Sequence, residues 1–270
     1  MLEVTFLAIL QGIAEFLPIS SSGHLVIGQH LLGMQGPGLR LDVMLHVGTL
    51  ISIVVFYWRT IVGLLGGMFR PSAPRDVRAG AWAYLGKVLV SALPAVIVYF
   101  LFHDFINGMF ENAKMVGALL MFTGAILIGT RYIPRGENEV SWRRALLMGL
   151  GQALALLPGV SRSGMTLATA RGGKVDTAKS AEFSFLMSAP LILGAAGLQV
   201  LESLRAVEGS ESATAASQIS WPLAVYGAVF SAIIGYFSLK LLVRTLKGQW
   251  FWLFGTYCLA AGLLTLILIQ

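Results

Sequence analysis

The sequence predicts an all-α integral membrane protein with six transmembrane helices plus two re-entrant helical hairpins in an inverted-topology repeat. Three observations carry this. The 270 residues are 56% hydrophobic and 12% charged, with a mean hydropathy of +0.78, a balance that soluble domains of this size do not have. Six apolar runs reach or approach the roughly 20 residues needed for a span, and two more are too short and are broken by proline and glycine. The polar pattern at the first break returns 141 positions later at the second.

Residues 2–17 form the first short apolar arm. Pro18 ends a helix or fixes its last turn, the break continues to Gly23, and a second short arm runs to Leu32. Neither arm is long enough to cross alone, so the pair reads as a re-entrant hairpin with its turn near mid-membrane. Broken backbone at that depth survives only when buried in protein or lining a wet cavity. The alternative is one kinked span over 2–32. Spans follow at about 42–58 (extending to 68), 84–102 and 114–133. Residues 144–157, Pro158-Gly159 and the turn after them form a second hairpin, followed by spans at 182–201, 221–243 and 250–269. The whole, 1–270, is one membrane domain with internal repeats at approximately 1–135 and 141–270. Asp42 and Glu182 each open a span after their hairpin.

Charge orients this layout. Three spans and a hairpin cross an odd number of times, so the second half is inverted relative to the first. With both termini outside, only Arg40, Lys114 and Arg205 of the 19 basic residues fall on the outer side. The acids Asp104, Glu111, Glu202, Glu208 and Glu211 fall in outer loops. The net charge of +6 is thus explained by the positive-inside rule, and no nucleic-acid partner is expected. The N-terminus carries Glu3 and lacks a basic region, so it does not read as a cleaved signal peptide. The single Cys258 excludes an internal disulfide.

The first break reads Gln11-Gly-Ile-Ala-Glu15-Phe-Leu-Pro-Ile-Ser20-Ser21-Ser22-Gly23-His24. Gln11 and Glu15, four apart, share a helix face. The second reads Gln152-Ala-Leu-Ala-Leu156-Leu-Pro-Gly-Val-Ser161-Arg162-Ser163-Gly164. The frame is kept and the chemistry is split. One copy holds the carboxylate and the imidazole, and the other holds the guanidinium, as expected of one composite site at a pseudo-symmetry axis. Turns entering from opposite faces would bring Glu15, His24 and Arg162 into one cavity, where ionisable groups imply function or mutual pairing. A Glu15–Arg162 ion pair that only locks the hairpins together is the bland alternative.

The residue types point to phosphoryl transfer. Arg162 can grip phosphate with two parallel N–H bonds, and the free N–H groups of both turns, with Ser20, Ser22, Gly23, Ser161, Ser163, Gly164 and Thr166, can take other oxygens. Ser21 and His24, three apart, can pair as nucleophile and base. Glu15 and the Gln11 carbonyl make an oxygen site for Mg²⁺ or Ca²⁺. A site within the bilayer implies a substrate with a lipid tail. His30, His46 and His103 are weaker candidates, with His46 one helical turn after Asp42 and able simply to bond to it. An inverted repeat with broken helices also suits a transporter of the lipid product.

These residues are familiar as a set. The chain resembles the undecaprenyl-diphosphate phosphatase family, the BacA-type bacitracin-resistance membrane phosphatases. That family shows an (E/Q)xxxE stretch, a serine-rich turn with a histidine, and PGxSRSxxT. The matching residues are Gln11 and Glu15, Ser20 to His24, and Pro158 to Thr166. The resemblance extends through Asp42 to Leu50, Ser91 to Pro94 and Phe183 to Pro190. It implies hydrolysis of undecaprenyl diphosphate to undecaprenyl phosphate with a divalent cation, at the outer (periplasmic) face of a bacterial inner membrane. It further implies that bacitracin competes for the lipid substrate. Catalysis would rest on Ser21, His24, Glu15 and Arg162, with metal at Gln11 and Glu15. Gln11 departs from the second glutamate of many members, which bears on the metal. Surrounding lipids are the other expected partners, and a homodimer is compatible with the sequence.

Overall fold

A computed structural model describes residues 1–31, 39–209, 219–248 and 250–268. Among the described residues every regular element is helical: α1 (Leu2–Ala14), α2 (Ser21–Leu31), α3 (Leu39–Phe56), α4 (Trp58–Phe69), α5 (Arg75–Phe110), α6 (Ala113–Gly129), α7 (Trp142–Leu154), α8 (Arg162–Gly172), α9 (Thr177–Gly209), α10 (Trp221–Lys247) and α11 (Leu253–Leu268). Leu32, where the first hairpin was expected to exit, and Glu211 of an expected outer loop lie outside the described residues.

Side-chain caps set several boundaries. Asn112 accepts from the Met115 amide before α6, Ser141 from Arg144 before α7, and Ser161 from Gly164 before α8. Asp176 Oδ1 accepts from the Ala178 and Lys179 amides at the start of α9. The apolar stretch 42–68 is not straight: α3 and α4 meet at Tyr57 with a 73° bend. α5 carries Pro94 and leaves helical geometry at Phe102, at the end of the expected 84–102 span.

Among the described residues, α5, α6 (with its terminal 3₁₀ turn) and α10 are each long and apolar enough to cross a membrane, and the bent α3–α4 pair is a fourth candidate. α1 and α11 are shorter apolar helices. Large apolar side chains such as Leu2, Phe100, Leu101 and Leu268 stay exposed, as lipid-facing residues do.

The interior is built on Phe16, Ile53, Leu120, Leu127, Phe185 and Leu239, all fully buried in one cluster. The main packings are α6 on α11, α3 on α10, α5 on α7 and α1 on α10. Small residues allow the first of these. A Cβ at Gly124 would lie 2.7 Å from the Gly255 carbonyl, and one at Gly255 would lie 2.6 Å from the Gly124 carbonyl. Gly117 and Gly262 face each other in the same reciprocal way, so the two backbones touch at two points. Between α3 and α10, Ser231 Oγ donates to the Leu45 carbonyl and Ser52 Oγ to that of Ala232.

Helix order repeats along the chain. α1, α2, the α3–α4 pair, α5 and α6 are followed by α7, α8, α9, α10 and α11, each starting about 140 positions after its counterpart. α2 and α8 correspond at both ends, Ser21 with Arg162 and Leu31 with Gly172.

Candidate active site

Two short helices, α2 and α8, present their N-termini to one another through the turns that precede them. The α1 helix gives way at Glu15 to a turn through Pro18, and Ser20 then takes a left-handed backbone (φ 69°) to start α2. That conformation is uncommon for a residue with a Cβ and is held by the local bonds it allows. Ser20 Oγ accepts from the Gly23 amide and lies 3.3 Å from Ser22 Oγ. The second turn repeats the device, with Ser161 Oγ accepting from the Gly164 amide at 3.1 Å and lying 3.3 Å from Ser163 Oγ. Gly159 (φ 96°) has a geometric reason to be glycine, since a Cβ there would lie 2.4 Å from the Val116 carbonyl.

The turns touch. A Cβ on Gly23 would approach Gly159 Cα to 3.1 Å. Each turn is buttressed by the last helix of the other half. Thr123 of α6 donates to the Gly159 carbonyl at 3.0 Å and accepts from the Ser161 amide at 3.1 Å, while Cys258 of α11 donates to the Pro18 carbonyl at 3.5 Å.

Glu15 is the centre of this junction and is 8% exposed. Its Oε1 accepts from Arg162 Nη2 at 2.6 Å, and its Oε2 accepts from Ser21 Oγ at 2.8 Å and from Gln11 Nε2 at 3.0 Å. The structure thus brings Glu15, Gln11, Ser21 and Arg162 together across 147 positions of sequence. The ion pair is present, yet it uses only one arm of the guanidinium. Arg162 Nη1 is buried and has no partner among the described residues. An arginine fork with one prong free, in a low-dielectric site, is suited to an incoming oxyanion. Phe185 lies 5.6 Å from Arg162 Cζ, with Phe16 packed edge-on against it.

The expected Ser21–His24 pair does not form. Ser21, the first residue of α2, reaches back to Glu15. His24, one turn further on, donates from Nδ1 to the Ser20 carbonyl at 2.9 Å, because a carbonyl can only accept. Its Nε2 is 2.7 Å from the Tyr257 hydroxyl of α11. The imidazole is therefore fixed in tautomer and direction, and turned to α11 instead of Ser21.

The remaining predicted residues divide in two. The amides of Ser21, Ser22, Arg162 and Ser163 stand at helix starts and carry no backbone partner among the described residues, so they offer donors to an anion. Thr166 is fully buried and its hydroxyl is held by the Arg162 carbonyl (2.9 Å) and Ser184 Oγ (2.6 Å), so it braces the first turn of α8. Gln152 holds the place of Gln11 in the second hairpin. Leucine stands at 156, so no carboxylate meets its amide, and both polar atoms lack partners.

A divalent cation meets a plausible donor set here. The Gln11 carbonyl oxygen is buried and unpartnered, and both it and the Glu15 carboxylate are hard oxygen ligands, although it is the Gln11 amide nitrogen that faces Glu15, so shared ligation needs that amide turned over. No group of three or more His, Cys, Asp or Glu placed to hold a metal ion occurs among the described residues. Two protein oxygens suit an ion that takes its other ligands from water and phosphate.

Sequence reasoning ranked His46 as a weaker candidate and passed over Tyr257. His46 donates from Nδ1 to the Asp42 backbone carbonyl at 2.8 Å, as its spacing allowed, and this aims Nε2 to 3.9 Å from Glu15 Oε2. The four-residue spacing from Asp42 was the available signal. Tyr257 sits in an apolar run without one.

Comparison with known proteins gives a consistent result. The family described as "Bacitracin resistance protein BacA" matches residues 4–264. A protein of Halothermothrix orenii named undecaprenyl-diphosphatase is 34% identical over 269 residues, 98% of this chain and 97% of its own. Proteins of the same name from Desulfatibacillum aliphaticivorans and Bacteroides thetaiotaomicron are each 35% identical, covering 98% of both chains.

Proposed function

Because this chain belongs to the BacA bacitracin-resistance family, we propose that the junction of its two turns is where undecaprenyl diphosphate is hydrolysed to undecaprenyl phosphate and phosphate. The protein is a multi-pass membrane phosphatase. The observation that carries the assignment of the site is Arg162, which bridges to Glu15 with one nitrogen and keeps the other buried and unpartnered beside two helix N-termini.

In this reading the free arm of Arg162 and the amides of Ser21, Ser22, Arg162 and Ser163 hold the terminal phosphate. They are preorganised where charge builds up on the transferred group, which is the main source of rate in such chemistry. Ser21 is the nucleophile: its Oγ displaces undecaprenyl phosphate from the terminal phosphorus, Glu15, at 2.8 Å, receives its proton, and water then hydrolyses the serine ester to release phosphate. Transfer of Arg162 from Glu15 to the substrate would free the carboxylate for that task. Gln11 and Glu15 would hold a divalent cation, which supplies charge neutralisation for the diphosphate. A second route has water as the attacking group and His24 as the base. It rests on His24 Nε2, the unprotonated ring nitrogen, which accepts from the Tyr257 hydroxyl at 2.7 Å and would have to exchange that donor for the water. An apolar groove of about 320 Å³ lined by Ile51, Val55, Ile233 and Phe237 offers a path for the prenyl tail.

We also read the two halves as inverted repeats whose hairpins are re-entrant. The repeated helix order, the reciprocal glycine contacts of α6 and α11, and arms of 13 and 11 residues, too short to cross, support this. Basic residues then mark the inner side, with both termini and the site toward the outer face. The relatives' names give no support to a transporter. Release of phosphate from polyprenyl diphosphate by purified protein in detergent tests the function. An Arg162→Ala protein with undiminished release would remove the site from this junction.

A further inference from the structure

A second cationic cluster lies at the far end of α8, with Arg171 roughly 14 Å along the helix from Arg162. α8 carries Arg171 in its last turn, α6 ends in the turn carrying Arg131, and the α10–α11 connection brings Trp250, Phe251 and Trp252. These elements, with Thr177 and Ser180 of α9, enclose a cavity of about 340 Å³. The volume is in the roughly 300–1,000 Å³ range of small-molecule sites.

The cavity's charge is not neutralised within the protein. The Arg131 guanidinium lies 4.6 Å from the Trp252 ring centroid. Arg171 Nε donates to the Ile133 carbonyl at 2.9 Å, and the neighbouring Arg135 donates to the carbonyls of Leu246 and Lys247. Backbone and ring contacts orient the three guanidiniums, and among the described residues none forms an ion pair. The adjacent carboxylate, Asp176, accepts from the amides of Ala178 and Lys179, and Glu139 pairs with Lys179. Thr130, Thr177 and Ser180 add hydroxyls, and Leu167, Leu246 and Phe251 form the apolar part of the wall.

We propose that this cavity binds the phosphate headgroup of an anionic lipid. Guanidinium forks match phosphate oxygens, and tryptophans beside arginines are the side chains that settle at headgroup depth. The apolar wall would leave a free phosphate ion partly desolvated without compensation, whereas the glycerol and first methylenes of a lipid can cover it. This site is separate from the Glu15–Arg162 junction and does not depend on the reaction assigned there.

The test is native mass spectrometry of the full chain from micelles containing phosphatidylglycerol or phosphatidylcholine. Wild type should retain phosphatidylglycerol at least about tenfold better than phosphatidylcholine. The Arg131→Ala/Arg171→Ala protein should lose that preference. Thr177→Glu keeps every arginine and adds a carboxylate at a helix start, where it is tolerated, so it guards against a folding artefact. It should lose the preference as well while releasing phosphate from substrate at the wild-type rate in neutral detergent. Equal retention of both lipids, or an unchanged preference in Thr177→Glu, would overturn the proposal. Displacement of phosphatidylglycerol by millimolar inorganic phosphate would assign the cavity to a free anion and equally refute a lipid site.

Discussion

Arg162 can be tested as a lock and as a catalytic group in one experiment. Replacing it with methionine removes the 2.6 Å bond to Glu15 and leaves a carboxylate that is 8% exposed with only the neutral donors Ser21 and Gln11. Removing one partner of a buried pair costs about 3–5 kcal/mol, so Arg162→Met should unfold at a clearly lower temperature. Glu15→Gln on the same background removes the stranded charge with almost no change of shape. The double variant should recover much of the lost stability. Activity should not follow, because the phosphate has lost its fork and Ser21 has lost the carboxylate that receives its proton. The loss of one such transition-state donor is worth roughly 2.7–4 kcal/mol, or about 10²–10³ in kcat. Thermal unfolding followed by circular dichroism, and phosphate release at saturating substrate, read the two effects separately. If activity returns in the double variant together with stability, Arg162 only holds the hairpins together and the mechanism above is wrong.

Ser21→Ala should lower kcat by about 10²-fold or more if a serine ester forms, whereas Ser22→Ala should change it little. An active Ser21→Ala protein alongside a dead His24→Ala protein would leave only the water route. Gln11→Glu places a second carboxylate one turn from Glu15 and should lower the Mg²⁺ or Ca²⁺ concentration for half-maximal rate. An unmoved metal titration would show that Gln11 is not beside the ion. Ser72→Cys, in the turn between α4 and α5, should resist an impermeant thiol reagent in intact cells. Labelling there would reverse the orientation.

Much of this was legible because membrane insertion makes hydropathy a strong signal. Apolar runs gave the helices, and the duplicated frame gave the meeting of Glu15 with Arg162. What stayed hidden depends on direction. Spacing allowed Ser21 and His24 to face each other, but Ser21 sits at a helix start and can reach back to Glu15, while the fourth-residue carbonyl captures His24. The span read at about 42–58 stops beside the bend at Tyr57, but no proline or glycine marks the break, so the apolar extension to 68 did not read as a separate helix. Tyr257 and His46 enter the site through tertiary packing, which one helix's pattern cannot report. Thr166 matched its motif position, yet lies behind the site as a brace.

The crossed buttresses, Thr123 on Gly159 and Cys258 on Pro18, bear on biogenesis. A ribosome delivers the first turn to the bilayer long before it makes α11. Until position 258 arrives, the Pro18 carbonyl lacks its support, and the nascent N-terminal half must be tolerated by the insertion machinery as an unfinished hairpin. Competence for chemistry then comes as one late event, when the last helix closes its glycine seam with α6. Nascent chains stalled before α11 should be inserted yet inert, and supplying that helix as a separate peptide should be enough to complete them.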